Sequence, residues 1–142
     1  MSTIKLKVIT PERVFFEGEV EQFIVKGRGD VGDFAVLPNH SPLTATIGYG
    51  KLQLTISPEE VREATLFGGY ALVHPDHAII LVDVAEWPEE IDLHRAMEAR
   101  KRAEEALAKS DADFNRARIS LTKALVRIDL ANVSDKINKE YK

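Results

Sequence analysis

The chain has no cysteine, no glycine after Gly69 and no proline after Pro88. Without cysteine there can be no disulfide framework, thiolate metal site or cysteine nucleophile, which suits a reducing compartment without requiring one. No apolar run approaches the roughly 18 residues of a membrane-spanning helix, so direct membrane insertion is not expected. The opening Met1-Ser2-Thr3-Ile4-Lys5-Leu6-Lys7 alternates apolar residues with lysine, and neither a signal peptide nor a transit sequence is expected from it. Catalytic signatures are missing as well. There is no Gly-rich phosphate loop ending in Lys-Ser/Thr, no Gly-x-Ser-x-Gly and no His-Glu-x-x-His. His74 and His77 straddle Pro75 with no evident third ligand, so no metal site is expected. Acidic pairs such as Glu59-Glu60 and Glu89-Glu90 sit beside prolines and read as solvating. No catalytic residue can be named.

What is present divides sharply along the chain. Residues 1 to 91 hold 7 Lys/Arg against 14 Asp/Glu, a net of −7, whereas residues 92 to 142 hold 12 against 9, a net of +3. The acidic first part argues against a nucleic-acid partner. The basic second part suits an acidic protein surface or a phosphate ligand, and equally suits long helices carrying Lys and Arg on their wet faces.

All eight glycines and all six prolines fall in the first part, among short runs of strand-forming residues. Thr3 to Val8 puts an apolar residue at every second place, and Leu52-Gln53-Leu54-Thr55-Ile56 does the same. Val20 to Lys26, Val61 to Phe67 and Ala78 to Val84 are further strands. Turns are read at Pro11, Gly27-Arg28-Gly29-Asp30, Pro38-Asn39, Gly48-Tyr49-Gly50, Ser57-Pro58-Glu59, Gly68-Gly69 and Pro75-Asp76. Short strands with turns at this spacing predict an antiparallel β-sandwich over residues 1–88. Within it, Pro38 and Pro42 flank Asn39-His40-Ser41 and impose a rigid polar loop, read either as a docking surface or as a plain tight turn.

From Asp92 the apolar period changes from 2 to 3.6. Leu93, Ala96, Met97, Ala103, Ala106 and Leu107 predict one helical stripe, and Phe114, Ala117, Leu121, Ala124, Leu125, Ile128 and Ala131 another. Ser110 and Asp113 are spaced as a capping pair for the second helix. Asp92 can cap the first, with Ile91 packed on Ala96 as a staple. The expectation is an antiparallel helical hairpin over 89–132 and a frayed or disordered tail over 133–142, so the fold class is α+β with its two parts segregated. Arg95 and Arg102 on the first helix, and Arg116, Lys123 and Arg127 on the second, make a basic stripe on each. The stripes either face a common anion or face water separately, in which case Glu98, Glu104 and Glu105 would offset the neighbouring cations.

Three stretches carry a family resemblance: Gly32-Asp33-Phe34-Ala35-Val36-Leu37-Pro38-Asn39-His40-Ser41-Pro42-Leu43, then Phe67-Gly68-Gly69-Tyr70, then Ile91-Asp92-Leu93-His94-Arg95-Ala96. In this order and spacing the chain resembles the epsilon subunit of the bacterial-type F-type (rotary) ATP synthase, from about Ile4 to Ile128. The resemblance implies a non-catalytic rotor subunit of a proton-translocating enzyme, lying peripherally on the cytoplasmic face of the bacterial plasma membrane. Its implied partners are the gamma subunit and the membrane ring of c subunits, with the catalytic beta subunits and the alpha subunits added when an extended hairpin inhibits ATP hydrolysis. Asp33 and His40 are the implied rotor contacts. Ala35 departs from the glycine usual in the family, which matters if that position needs a positive φ.

Some bacterial members of this family bind ATP between the sandwich and the folded hairpin. No cofactor is required by the family, so ATP would be a regulatory ligand. The implied positions here are Glu86, Ile91, Asp92, Arg95, Ala96, Arg102, Lys123 and Arg127. Lys123 stands where arginine is expected and keeps the charge without the planar fork that grips phosphate in two places. The connection between the helices is also shorter than in ATP-binding members. The alternative is a stand-alone ATP-binding sensor built on the same hairpin.

Overall fold

The computed structural model describes residues 2–29, 31–109 and 113–140, with side chains as far as residue 132. The chain divides into two compact units, Met1–Glu86 and Trp87–Lys142.

The first unit is a single ladder of seven strands: β1 (Ile4–Ile9), β2 (Val14–Val20), β3 (Gln22–Lys26), β4 (Asp33–Val36), β5 (Leu43–Ser57), β6 (Glu60–Val73) and β7 (His77–Glu86). Their order is β2-β1-β7-β6-β5-β3-β4. Neighbours are antiparallel except for the parallel pair β1 and β7. The strand β2 at one edge also lies against β5, so the ladder curls over on itself into a sandwich. Alternation drives this: in β1 the side chains of Ile4, Leu6 and Val8 are buried while Lys5 points to water. Phe23, Leu52, Leu54, Leu66, Phe67 and Ile80 are buried as well.

Two predicted turns are not turns. Gly48-Tyr49-Gly50 lies inside β5 and Gly68-Gly69 inside β6, and the two strands pair from Leu43↔Val73 through Thr55↔Val61 without losing register. The glycines are there because the strands bend and crowd. A Cβ on Gly69 would lie 1.9 Å from the Leu81 carbonyl oxygen, and Gly68 has φ +70, a conformation that favours glycine. The periodicity also missed β4 and most of β2, and ran β3 together with the end of β2. In β2 the two adjacent phenylalanines obscure the alternation beside a bulge at Val8/Ile9, and β4 is a four-residue edge strand. Ala35 belongs to β4, opposite Ile24, and is not among the described residues with positive φ, so the local backbone accepts alanine.

The second unit opens with a 3-10 turn, Pro88–Glu90, followed by α1 (Leu93–Ala108) and α2 (Phe114–Glu140) packed together as a hairpin. Glu90 does more than meet solvent. Its Oε1 accepts from the Trp87 N–H at 2.9 Å while its own N–H donates to the Trp87 carbonyl, a reciprocal cap that fixes the turn against α2. The buried seam is alanine: Ala96 and Ala103 on α1, Ala117, Ala124 and Ala131 on α2, each seven residues from the next. Leu130 joins them. Met97, Phe114 and Leu125, expected in the stripes, are 55%, 60% and 42% exposed. A seam of methyl groups lets the helices approach closely, which pushes larger neighbours to its margins.

The helix α2 is capped by Asp113 alone among the described residues. Its Oδ1 accepts from the Arg116 N–H at 3.2 Å, and Ser110, the other member of the expected pair, lies outside the described residues. The backbone of α2 stays helical to Glu140, over most of the stretch expected to fray, and Tyr141 and Lys142 lie outside the described residues.

Candidate functional site

Asp92 and Ile91 are backbone residues first. Ile91 closes the 3-10 turn with its N–H on the Pro88 carbonyl, and Asp92 then caps α1, its Oδ1 accepting from the Arg95 N–H at 3.1 Å and its carbonyl from the Ala96 N–H at 3.0 Å. The cap therefore gathers Asp92, Arg95 and Ala96 of the predicted set into one turn. Ala96 is buried in the seam, while the Arg95 side chain is exposed.

Arg102 lies two turns further along α1, also exposed. Glu104 pairs with Arg100 at 2.8 Å, as expected, whereas Glu98, expected to offset Arg102, pairs with His94 at 3.1 Å. Arg102 instead lines a cleft of about 330 Å³ between the two helices, with Arg116 and Asp113 opposite and Ala99, Ala103, Ala106 and Ala117 as its floor. Two guanidinium groups over methyl groups, with one carboxylate already taken up by capping, form a cleft that can accept an anion with several acceptor oxygens. Arg116 was not in the predicted set, although its place in the second basic stripe was a signal for it. Lys123 and Arg127 are half-buried on α2 and engaged in contacts within the chain, and neither they nor Arg95 line the cleft. They are not a free basic stripe.

Glu86 is the last residue of β7 and half-buried. Its strand partner is Thr65, fully buried on β6, whose hydroxyl donates to Glu86 Oε1 at 3.3 Å. Nothing in the sequence pattern marked Thr65.

The implied rotor contacts are at an edge of the sandwich. Asp33 is exposed and opens β4 opposite Lys26. The turn after β4 runs Leu37-Pro38-Asn39-His40, closed by the His40 N–H on the Leu37 carbonyl at 3.2 Å, with Asn39 at φ 65. Proline followed by a left-handed asparagine is the type II arrangement, so this loop is rigid for a local reason. Its Asn39 N–H donates to the Pro75 carbonyl at 2.8 Å, which ties it to the β6–β7 turn. His40 Nδ1 lies 2.7 Å from the Ser41 carbonyl, and because a carbonyl only accepts, that nitrogen carries the hydrogen.

On the neighbouring turn the His74 and His77 rings stack with centroids 4.6 Å apart, and His77 Nδ1 lies 2.7 Å from Asp76 Oδ1. The hydrogen bond from His77 holds the Asp76 carboxyl below its ordinary value. No group of three or more metal-ligating side chains occurs among the described residues.

Two family models match the chain in succession. Residues 3–88 match the beta-sandwich domain of the ATP synthase delta/epsilon chain, and residues 89–132 match its long alpha-helix domain. The chain is 39% identical over 134 residues to the ATP synthase epsilon chain of Ruminiclostridium cellulolyticum, covering 93% of this chain and 98% of that one. It is 42% identical over 129 residues to the epsilon chain of Clostridium novyi, covering 90% and 97%. It is 43% identical over 101 residues to the sodium ion specific epsilon chain of Acetobacterium woodii, covering 71% and 74%. Among solved structures, a chain of the Euglena gracilis mitochondrial ATP synthase OSCP/F1/c-ring assembly shares the fold with a TM-score of 0.79 at 19% identity, over 92% of this chain and 82% of that one.

Proposed function

Because the chain belongs to the ATP synthase delta/epsilon chain family, we propose that it is the epsilon subunit of an F-type ATP synthase central stalk, a non-catalytic part of the rotor that joins gamma to the membrane ring. The observation that carries this is the pair of domain matches in uninterrupted order, 3–88 then 89–132, with relatives aligned over nearly their whole length. The sandwich makes the standing contacts, with Asp33 and the rigid His40 turn at the edge that meets the ring and gamma. Membership of that stalk would put the chain peripherally on the cytoplasmic face of the membrane.

The hairpin is the regulatory part. A seam of buried alanines removes little apolar area from water, so at about 25 cal/mol per Å² the packing of α1 on α2 stabilises the closed hairpin only modestly. Such an element can take a second arrangement at low cost. Extended, it would set its basic face against acidic parts of the beta and alpha subunits and inhibit ATP hydrolysis. ATP would favour the folded form by recruiting Arg95, Arg102, Lys123 and Arg127, together with Glu86 and the Ile91-Asp92 turn, and Arg116 joins that set through its cleft with Arg102.

Two measurements test the two halves. The full chain should copurify with gamma, and a chain that never does so is a stand-alone sensor instead. Removing residues 92–142 should raise the ATPase rate of the assembled complex, and an unchanged rate would end the inhibitory reading. ATP titration of the full chain and of Arg95→Ala addresses the ligand: equal affinity would dispose of the site.

A further inference from the structure

The two longest strands of the sandwich, β5 and β6, bend where their glycines meet, and the bend leaves a cleft of about 520 Å³ within the first unit. The buried positions of β5 are odd-numbered at Ile47 and even-numbered at Leu52 and Leu54, so the strand turns its other face to the core in passing Gly48. The pairs Ile47↔Gly69 and Tyr49↔Phe67, then Gly69↔Val82 and Phe67↔Val84, put Gly48, Gly68 and Asp83 on one rung across β5, β6 and β7. Two of these three have no side chain to fill it. A Cβ on Gly68 would lie 3.5 Å from Asp83 Oδ2 and 3.9 Å from the Tyr49 hydroxyl, so the two oxygens converge over that backbone. A Cβ on Gly48 would lie 2.8 Å from the Gly27 carbonyl oxygen, which shows the β3–β4 connection seated directly on β5. The next N–H, that of Arg28, donates to the Thr46 carbonyl at 3.3 Å. Arg28 therefore enters the cleft from the β5 side, whereas Asp83 stands on β7.

Neither the Arg28 guanidinium nor the Asp83 carboxylate is taken up by an ion pair or side-chain hydrogen bond with a described residue. Opposite charges held apart in one cleft suit a ligand that carries both. Between them the lining is aromatic and apolar: Tyr70 and Leu81 are exposed cross-strand partners, and Tyr49 joins them. Such a surface takes an apolar side chain. Neighbouring strands lie about 4.8 Å apart, so β5 and β7, with β6 between them, are roughly 10 Å apart. An extended residue spans about 3.3–3.6 Å, so a single amino acid is too short to meet both charges and about three residues are long enough. We infer that this cleft binds a short peptide as a zwitterion. The peptide's terminal ammonium donates to Asp83 and the Tyr49 hydroxyl, its terminal carboxylate accepts from the Arg28 guanidinium, and a middle side chain lies on Tyr70 and Leu81. Every residue of the site belongs to the first unit, so the inference stands apart from the ATP reading and from the hairpin.

Titration of the full chain with glycyl-phenylalanyl-glycine, followed by amide chemical shifts, tests this. The pH is held at about 6.5, where the free amino end of the peptide is charged. The amide signals of Gly68 and Gly69, which line the cleft, should move and saturate. The N-acetylated and C-amidated forms each lack one charge and should each bind on the order of fivefold more weakly, the scale of one exposed ion pair. Free phenylalanine has both charges too close together and should bind more weakly than the tripeptide. Asp83→Asn should make the acetylated and free peptides equal while the amidated one stays weaker, and Arg28→Gln should do the reverse. Both residues are exposed, so the fold should survive both changes, which the rest of the amide spectrum verifies. The absence of a saturable shift at Gly68 and Gly69 overturns the inference. So does equal binding of the free and blocked peptides, a loss in the two variants that does not follow the matching charge, or free phenylalanine binding as well as the tripeptide. The comparison of analogues on the wild type needs no variant, so the inference stays open to refutation even if a substitution disturbs the fold.

Discussion

Asp92 and Arg95 meet through the backbone and not through their charges: the Asp92 carboxylate accepts the Arg95 N–H at 3.1 Å and caps α1. A cap needs an acceptor, and asparagine supplies one as well as aspartate does. Asp92→Asn should therefore leave helix stability nearly unchanged, while Asp92→Ala should cost about 1 kcal/mol. Thermal unfolding followed at 222 nm separates the two. If Asp92→Asn weakens ATP binding while leaving stability alone, the negative charge has a second use beyond starting the helix.

The close approach of β6 and β7 at Gly69 gives the sharpest stability prediction. A methyl group there would meet the Leu81 carbonyl oxygen at 1.9 Å and the Val82 Cα at 2.7 Å, both of them backbone atoms that cannot swing aside. Gly69→Ala should destabilise the sandwich by about 3 kcal/mol or more, seen as a lower urea midpoint. At Gly32 the space around the added Cβ is open, and Gly32→Ala should change the midpoint little.

These glycines also mark what could be read in advance and what could not. The alternation of Ile4, Leu6 and Val8 and the change of period at Asp92 are local patterns, so the sandwich and the hairpin were legible. Whether a glycine pair turns a chain or lets two strands crowd depends on a neighbour distant in sequence, here Leu81 beneath Gly69, and local pattern has no access to that. The helical stripes failed in the same way. Met97 and Leu125 have the right spacing, but the adjacent Ala96 and Ala124 are the residues buried in the seam, which leaves the larger side chains at its rim. For the candidate site, Asp92, Arg95 and Arg102 are expectations from motif and spacing. Thr65 is not among them, because a threonine inside a strand looks like any other strand residue until its partner across the ladder is known.

The turn joining β6 and β7 should show a pH dependence of known sign. The hydrogen bond from His77 holds the Asp76 carboxyl below 3.8, its ordinary value. A carboxyl whose value is depressed in the folded chain favours folding above its ordinary value, and that contribution fades as the pH falls through the depressed one. His77→Phe keeps a ring to stack on His74 and removes the donor. The Asp76 side-chain carbon resonance should then titrate nearer 3.8. The stability difference between the two proteins should be present above pH 3.8 and shrink below it.

Arg102 and Arg116 share one cleft, and their like charges make opposite demands with and without an anion. In the empty cleft two guanidinium groups repel weakly, because both are exposed and screened by water and salt. Arg102→Ala and Arg116→Ala should therefore leave the unliganded hairpin as stable as the wild type, or raise it by a few tenths of a kcal/mol at low salt. If the proposed ATP site is real, ATP should reverse the order. Ligand at a hundredfold excess over its dissociation constant should stabilise the wild type by about 2.7 kcal/mol, a gain that each single substitution reduces. If both arginines grip the same phosphates, the double variant should lose less than the sum of the two single losses, because the second arginine has less to hold once the first is gone. Losses that add would place the two side chains on separate anions. Unfolding of the four proteins with and without ATP, at low and at physiological salt, distinguishes these outcomes, and the salt series also shows how much of the effect is charge alone.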